Sequence, residues 1–118
     1  MSLRNASQKV GGTVKETPAV LRVSNMKEFF QTEFGKQLKK VCAHTSQQYK
    51  DATVYKVTEK IKHPMLERGD RFYLDKVHLD HIEVFSHTGH AKGVLNLDGT
   101  VNIIKTERAV SQGRTIPT

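Results

Sequence analysis

The segment from Tyr73 to Gly99, YLDKVHLDHIEVFSHTGHAKGVLNLDG, holds four of the six histidines of the chain together with several carboxylates. Imidazole and carboxylate groups are common proton-transfer groups in enzymes, and histidines also bind metal ions. The same residue types also occur on the solvated face of an ordinary β-sheet. The segment therefore predicts an acid–base site, a metal site or a polar sheet face, and the direction of each side chain decides between them.

Alternation along the segment 80–86, DHIEVFS, separates these side chains by face. Successive residues of a strand point to opposite sides of the sheet. Ile82 and Val84 therefore share one face, while the other face carries His81, Glu83 and Phe85. Because the aliphatic pair must be buried, we expect His81 and Glu83 to stand together on the uncovered face.

The preceding strand, within 71–77, adds polar groups to this face. Phe72 and Leu74 form its apolar pair and are expected to face the helix, which leaves Tyr73 and Asp75 on the uncovered side. Side chains on neighbouring antiparallel strands approach to within about 5 Å. Tyr73 and Asp75 are therefore predicted to lie close to Glu83.

Carboxylates and an imidazole on rigid strands suit proton transfer. Cleavage of RNA by internal attack needs a base that takes the proton from a ribose 2′-hydroxyl and an acid that protonates the departing 5′-oxygen. It also needs a cation that stabilises the charged phosphorane. A glutamate, a histidine and an arginine or lysine supply these roles without a metal ion, although residue types alone leave the ordinary solvated sheet face open as an alternative.

A zinc site is a further alternative, because His78, His81, His87 and His90 have the spacing H-x2-H-x5-H-x2-H. Residues three apart on a strand point to opposite faces, so chelation requires a tight turn at both pairs, and no second cysteine accompanies Cys42. We therefore predict no metal ion and no cofactor, and we expect Cys42 to be buried at an apolar helical position.

The formal net charge of +7 favours a polyanionic partner such as RNA. Residues 1–50 carry nine Lys or Arg against three Asp or Glu, and residues 51–118 carry ten against nine. The basic half is thus N-terminal and is expected to hold the nucleic acid backbone, whereas the carboxylate-rich half does something more specific. The sequence contains no run of eighteen apolar residues, so no membrane-spanning helix is predicted. Its N-terminus lacks an apolar core, so no cleavable signal peptide is predicted.

The chain is predicted to form one α+β domain in residues 23–118, preceded by a linker or flexible arm in residues 1–22. Apolar residues at three- and four-residue steps predict one amphipathic helix from Ser24 to Cys42, with Asn25 and Glu28 as a capping box. The helix is expected to pack on a twisted antiparallel β-meander with strands within 52–61, 71–77, 80–86 and 91–97. The segment 100–104, TVNII, is expected to add a short strand, and 105–112 a helical turn.

The second half contains FYLD followed by a histidine three residues on, then HIEVF, the turn HTGHAKG and a strand running into LDG. From about Gly69 to Ile116 this pattern resembles the cytotoxic ribonuclease domain of ribosome-inactivating nuclease colicins and S-type pyocins. The same domain occurs at the C-termini of contact-dependent growth inhibition toxins. The resemblance does not extend to the N-terminal half.

The resemblance implies a role for several residues of this chain. Glu83 is the general base, His78 is the acid or an orienting group, and Asp75 positions the imidazole. Arg114 in GRTI is the best match to a phosphate-stabilising arginine, with Arg108 as the alternative.

The loop between the matched histidine and glutamate is one residue longer here than in the family. This difference brings His81 onto the face of Glu83, so His81 is an alternative acid. The residues expected to contact RNA, two by stacking on bases and two by charge, are Tyr73, Phe85, Lys92 and Arg108.

The residues and the resemblance together predict an antibacterial toxin domain. Its expected activity is a metal-independent endoribonuclease that cleaves small-subunit ribosomal RNA, leaves a 2′,3′-cyclic phosphate and blocks translation. The domain is expected to be a monomer. Its expected partners are the ribosome and a cognate acidic immunity protein, and no membrane association is expected. The toxin is expected to be secreted or delivered and to act in the cytoplasm of the target bacterium. The alternatives are a non-enzymatic RNA- or ribosome-binding module, a tRNA-cleaving toxin and a metal-dependent nuclease.

Overall fold

The computed structural model describes residues 21–118 and shows an α+β fold built on one five-stranded antiparallel sheet. The strands, neighbours in the sheet in sequence order, are β1 (Cys42–Tyr49), β2 (Ala52–Val57), β3 (Arg71–Leu74), β4 (His81–Phe85) and β5 (Ala91–Asn96). The helices are α1 (Met26–Phe29), α2 (Glu33–Lys39) and α3 (Ile103–Ser111). Residues 1–20, the greater part of the predicted arm, lie outside the described range. Among residues 21–118, no helix has the length and apolar character needed to span a membrane.

The predicted helix start is confirmed. The backbone N–H of Glu28 donates to the Asn25 side chain at 2.9 Å, and the Glu28 carboxylate accepts from the backbone N–H of Ser24 at 2.8 Å. The first bond satisfies a backbone donor that the first turn of a helix leaves unpaired, and the second bond holds the residue that precedes the cap. The entry of the chain into α1 is thus fixed by local hydrogen bonds.

The prediction of one continuous helix is wrong, because the chain breaks between α1 and α2. Thr32 has extended backbone and caps α2, since its hydroxyl accepts from the N–H of Gly35 at 3.0 Å and donates to the carbonyl of Phe29 at 2.7 Å. A Cβ atom at Gly35 would lie 1.8 Å from that same carbonyl oxygen. The sharp turn therefore requires glycine, and it keeps the apolar side chains of both helices on the sheet.

Strand β1 is an element that the sequence reading missed. Its N-terminal residue, Cys42, was assigned to the helix, but it is half-buried in the sheet against the core, where burial raises the pKa of the thiol to about 11. The strand ends in a tight turn in which Lys50 and Asp51 both have positive φ. Most of β1 is polar and lies at the sheet edge, so it lacks the alternating apolar pattern by which strands are recognised.

The predicted alternation in β3 and β4 is confirmed on the helix side. Phe72 pairs with Val84 and Leu74 pairs with Ile82, and all four side chains are buried. They pack in one cluster with the buried residues of the two N-terminal helices, which are Phe29, Phe34 and Leu38. This face of the sheet forms the main hydrophobic core.

The opposite face was predicted to be open, and this prediction is wrong. A smaller apolar cluster that includes Tyr73, Phe85 and Ile116 is buried there. The cover comes from residues 114–118, here called the C-terminal strap. Ile116 donates its N–H to the carbonyl of Gly89 at 2.9 Å, and the side-chain amide of Gln47 donates to the carbonyl of Pro117.

Helix α3 confirms the predicted helical turn and replaces the predicted strand at 100–104. Only Val101 forms an isolated bridge, and Asn102 then caps the helix through a 3.0 Å bond from the N–H of Lys105. The hydroxyl of Thr106 accepts from the N–H of Val94 at 2.9 Å. Helix α3 thereby covers the exposed edge of β5, which would otherwise offer unpaired backbone groups to another strand.

Candidate active site

Glu83 occupies the centre of the strap-covered face. The pairing of β3 with β4 places it opposite Tyr73, and its side chain is only 7% exposed. One carboxylate oxygen accepts from Nη1 of Arg114 at 3.3 Å, and the other lies 3.0 Å from Nε2 of His81. The carboxylate is therefore held in one orientation by Arg114 from the strap and by the imidazole of His81 from its own strand.

The imidazole of His81 is surrounded by carboxylates and is only 4% exposed. Its Nδ1 atom lies 2.7 Å from Asp80, and its Nε2 atom, already bonded to Glu83, lies 4.0 Å from Asp75. Burial lowers the pKa of His81, but the hydrogen bonds to Glu83 and Asp80 and the charges of Asp75 and Glu83 outweigh burial and raise the pKa overall. Both ring nitrogens of His81 lie within hydrogen-bonding distance of a carboxylate, so His81 has no nitrogen left for a substrate.

His78 has the opposite character, because its side chain is 58% exposed. The carboxylate of Asp75 accepts from the backbone N–H of His78 at 2.7 Å and pairs with its Nδ1 at 3.1 Å. This contact fixes the ring, while Nε2 makes no hydrogen bond within residues 21–118. Burial raises the pKa of Asp75, but the hydrogen bonds from His78 and the charge of His81 lower it overall, so Asp75 remains a carboxylate that orients His78.

These groups line one cleft with a volume of about 400 Å³. Its lining residues are Lys50, Tyr73, Asp75, Val77, His78, His81, Glu83, Lys105, Arg108, Gln112 and Arg114. In the described part of the chain, four lysines and arginines thus face two carboxylates, and the two histidines add positive charge when they are protonated. A cleft with this excess of cations concentrates phosphate groups from solution.

The five residues predicted to be catalytic come together in this cleft, and Arg108 stands in its wall. The two predicted base-stacking residues, Tyr73 and Phe85, are both buried. Phe85 is 2% exposed and stacks on Tyr73 with ring centroids 5.9 Å apart, so both rings are occupied by protein packing. Tyr73 also lines the cleft. Burial and the negative charge of Glu83 raise the pKa of the Tyr73 hydroxyl.

Lys92 was predicted to contact RNA, but it lies away from the cleft. Its Nζ atom pairs with the buried carboxylate of Asp70 at 2.6 Å and donates to the carbonyl of Met65 at 2.8 Å. The register of β4 and β5 shifts between Val84 and Phe85, which places Lys92 at a bulge. Lys92 therefore ties the β2–β3 connection to the sheet.

Four residues that line the cleft were not predicted from the sequence: the apolar Val77 and the polar Lys50, Lys105 and Gln112. The spacing of Lys105, Arg108 and Gln112 is three and four residues, which places them on one face of a helix. Reading 103–111 as a full helix would have revealed this basic row. Lys50 gave no signal, because it sits in the turn after the unrecognised strand β1.

The four histidines of the zinc alternative do not converge. His78 lies in the turn before β4 and His81 is its first residue, whereas His87 and His90 flank the turn that follows its end. Within residues 21–118 no group of three or more His, Cys, Asp or Glu side chains has an arrangement that could hold a metal ion. Zinc would require such a group.

Comparison with protein-family models, with curated proteins and with solved structures finds no match for this chain. The functional argument therefore depends on the geometry of the cleft, with the sequence resemblance as its second support.

Proposed function

We propose that this domain is a metal-independent endoribonuclease that cleaves RNA by attack of a ribose 2′-hydroxyl on the adjacent phosphate. One observation carries the proposal. Glu83 is clamped between Arg114 and His81 at the base of a cationic cleft, and an oriented, exposed histidine, His78, lines the same cleft. A base, an acid and a phosphate-binding cation are thus present in one cavity.

Glu83 acts as the general base in this proposal. Its carboxylate takes the proton of the 2′-hydroxyl as that oxygen bonds to phosphorus, and the bond from phosphorus to the 5′-oxygen then breaks. Arg114 stabilises the extra negative charge of the phosphorane while it also holds Glu83 in place. The products are a 2′,3′-cyclic phosphate and a free 5′-hydroxyl.

His78 acts as the general acid, since its exposed Nε2 can carry a proton to the departing 5′-oxygen. Asp75 orients the ring through Nδ1. His81 is a positioning residue, because both of its nitrogens are bonded to carboxylates. The two histidines that the sequence leaves as rival acids therefore have different roles.

The sequence resemblance supports small-subunit ribosomal RNA as the substrate, with arrest of translation in a target bacterium as the outcome. It also supports a cognate acidic immunity protein as the inhibitor. Transfer RNA is the second candidate substrate, because the same acid–base chemistry serves either RNA. The cationic cleft is also what a non-enzymatic RNA-binding module would need, so the test must separate binding from cleavage.

The test compares the wild type with Glu83→Gln and His78→Gln on purified ribosomes and on transfer RNA in excess chelator. Each variant is expected to lose cleavage by about 10²- to 10⁴-fold, the usual contribution of a general acid or base, while RNA affinity stays within a few fold. Glu59→Gln, at an exposed position outside the cleft, is the matched control.

Thermal unfolding of each variant checks that the fold is retained. Full cleavage by Glu83→Gln would remove this carboxylate from the mechanism. RNA binding by the wild type without any cleavage would favour the non-enzymatic module, and activity that vanishes with chelator would favour the metal-dependent nuclease.

A further inference from the structure

A second concavity lies on the strap-covered face of the sheet, beyond the cleft. It has a volume of about 370 Å³, and we call it the Arg71 pocket. Its lining residues are Thr45, Ser46, Gln47, Arg71, Pro117 and Thr118. Among residues 21–118, no Asp or Glu side chain lines the pocket, and Arg71 is the only charged side chain that does.

The guanidinium of Arg71 is incompletely satisfied. Its Nε atom is buried and has no hydrogen-bond partner within residues 21–118. Buried polar atoms are nearly always paired, and an unpaired one in a native fold calls for a ligand or another explanation. Because a guanidinium only donates hydrogen bonds, the missing partner must be an acceptor, and an anion with two or more oxygens fits its forked geometry best.

The wall opposite Arg71 is formed by an irregular part of β1. The register of β1 with β2 shifts between His44 and Gln48, which marks a bulge, and such bulges commonly re-aim side chains near functional sites. Thr45 and Gln47 are already occupied, since the Thr45 hydroxyl donates to Val54 and the Gln47 amide to Pro117. The exposed hydroxyl of Ser46 makes no hydrogen bond in the described part of the chain and remains as a second donor.

The Arg71 pocket and the cleft share two structural elements. Arg71 and Tyr73 are two residues apart on the same face of β3, about 7 Å along the strand, and Tyr73 lines the cleft. The strap borders both cavities, since Arg114 lines the cleft and Pro117 lines the pocket. A linear ligand that leaves the cleft along the strap therefore reaches Arg71.

We propose that the Arg71 pocket binds a backbone phosphate of the RNA strand whose scissile phosphodiester lies in the cleft. This inference rests on the proposed function and extends it, because it makes the substrate a single strand longer than the reacting dinucleotide. Arg71 supplies a forked pair of donors to the phosphate oxygens, and Ser46 adds a hydroxyl. The strand follows the strap from Arg114 to Pro117.

The experiment measures binding of fully 2′-O-methylated RNA, which lacks the attacking hydroxyl and cannot be cleaved. A trinucleotide and a decanucleotide are compared by fluorescence anisotropy with the wild type, Arg71→Gln, Arg71→Lys and Lys56→Gln. Lys56 is the matched control, because it pairs with Arg71 in the sheet but is exposed and does not line the Arg71 pocket.

Arg71→Gln is expected to weaken binding of the decanucleotide about tenfold and to reduce the salt slope by about one, as the loss of one phosphate contact predicts. Binding of the trinucleotide should be unchanged. Arg71→Lys should keep the salt slope but lose part of the affinity, since lysine lacks the forked geometry. Lys56→Gln should leave the ratio of the two affinities as in the wild type.

Equal effects of Arg71→Gln on both RNAs, or no effect on either, would overturn the inference. If the wild type cleaves ribosomal RNA but Arg71→Gln shows no length-dependent loss of RNA affinity, only the phosphate subsite is contradicted. If Arg71→Gln shows a length-dependent loss of RNA affinity but the wild type cleaves no RNA, the proposed function is contradicted and the phosphate subsite is retained.

Discussion

The two faces of the sheet are built from the same strands but bury different kinds of side chain. Within residues 21–118, the face under α1 and α2 is packed with twelve buried apolar side chains in one cluster, whereas the strap-covered face has five. Two of the three buried polar side chains of the described chain, His81 and Glu83, lie on the strap-covered face. One face therefore supplies most of the hydrophobic stabilisation, and the other holds the groups that can do chemistry.

This difference shows how a small domain keeps charged groups in fixed positions. Buried charges are costly unless they are paired and hydrogen-bonded, and here Glu83, His81 and Arg114 satisfy one another. Their burial depends on the strap, which only the tertiary fold brings over the sheet. The face with the weaker apolar packing is thus the one whose geometry the proposed reaction needs.

The largest effect is expected from a matched pair of core truncations, one on each face. Phe72→Ala should lower the free energy of unfolding by about 4 kcal/mol, because a cavity in the larger cluster cannot collapse. Phe85→Ala should lower the free energy of unfolding by less, about 3 kcal/mol, since Tyr73 of its smaller cluster lines the cleft and can relax toward it. Urea denaturation measures both, and an equal or reversed order would contradict the distinction between the faces.

An intermediate effect is expected where the strap is anchored. Gly89 has a φ of +89°, and a Cβ atom there would lie 2.4 Å from the carbonyl oxygen of Ile116. Gly89→Ala should therefore lower the free energy of unfolding by about 3 kcal/mol. It should also reduce RNA cleavage, because the displaced strap carries Arg114. Gly69→Ala is the control, with a φ of +99° but no contact closer than 3.5 Å, and should cost about 1 kcal/mol with cleavage retained. Equal losses of activity in the two variants would show that the strap does not position the site.

The smallest effect is expected in the pH dependence of stability. The pKa of His81 is raised above its ordinary value of 6.5, so its stabilising contribution is complete below that pH and is lost as the pH rises through the folded-state pKa. The pKa of Asp75 is lowered from 3.8, so its stabilising contribution to the free energy of unfolding is present above 3.8 and is lost as the pH falls through the lowered pKa. His81→Gln should flatten the decline in the free energy of unfolding above pH 6.5, relative to His87→Gln at an exposed position. An unchanged slope would indicate that His81 is not protonated in the fold.

The sequence predicted the parts of the fold that follow from local patterns. Alternation in β3 and β4 assigned Phe72, Leu74, Ile82 and Val84 to one face, because period-two patterning is a property of the strand itself. The same rule placed Glu83 and its neighbours on the opposite face. Strand geometry therefore grouped Asp75, His81 and Glu83, whereas His78 and Arg114 were predicted from the sequence resemblance.

The errors arose where contacts between distant segments decided the structure. The bond from Gln47 to Pro117 joins residues 70 positions apart, and no local pattern predicts that the strap covers Tyr73 and Phe85. Lys92 lies outside the cleft because its side chain pairs with Asp70, which is 22 positions away in the sequence. The polar edge strand β1 was missed because its side chains carry no apolar period.

The central claim is that Glu83 and an imidazole act on one phosphodiester in a metal-free site. The most direct measurement is the chemistry of the RNA ends produced from purified small ribosomal subunits in excess chelator, with wild type and Glu83→Gln side by side. The account predicts 2′,3′-cyclic phosphate and 5′-hydroxyl ends from the wild type and almost none from the variant. Ends that carry a 5′-phosphate and a 3′-hydroxyl, or equal cleavage by the variant, would contradict it.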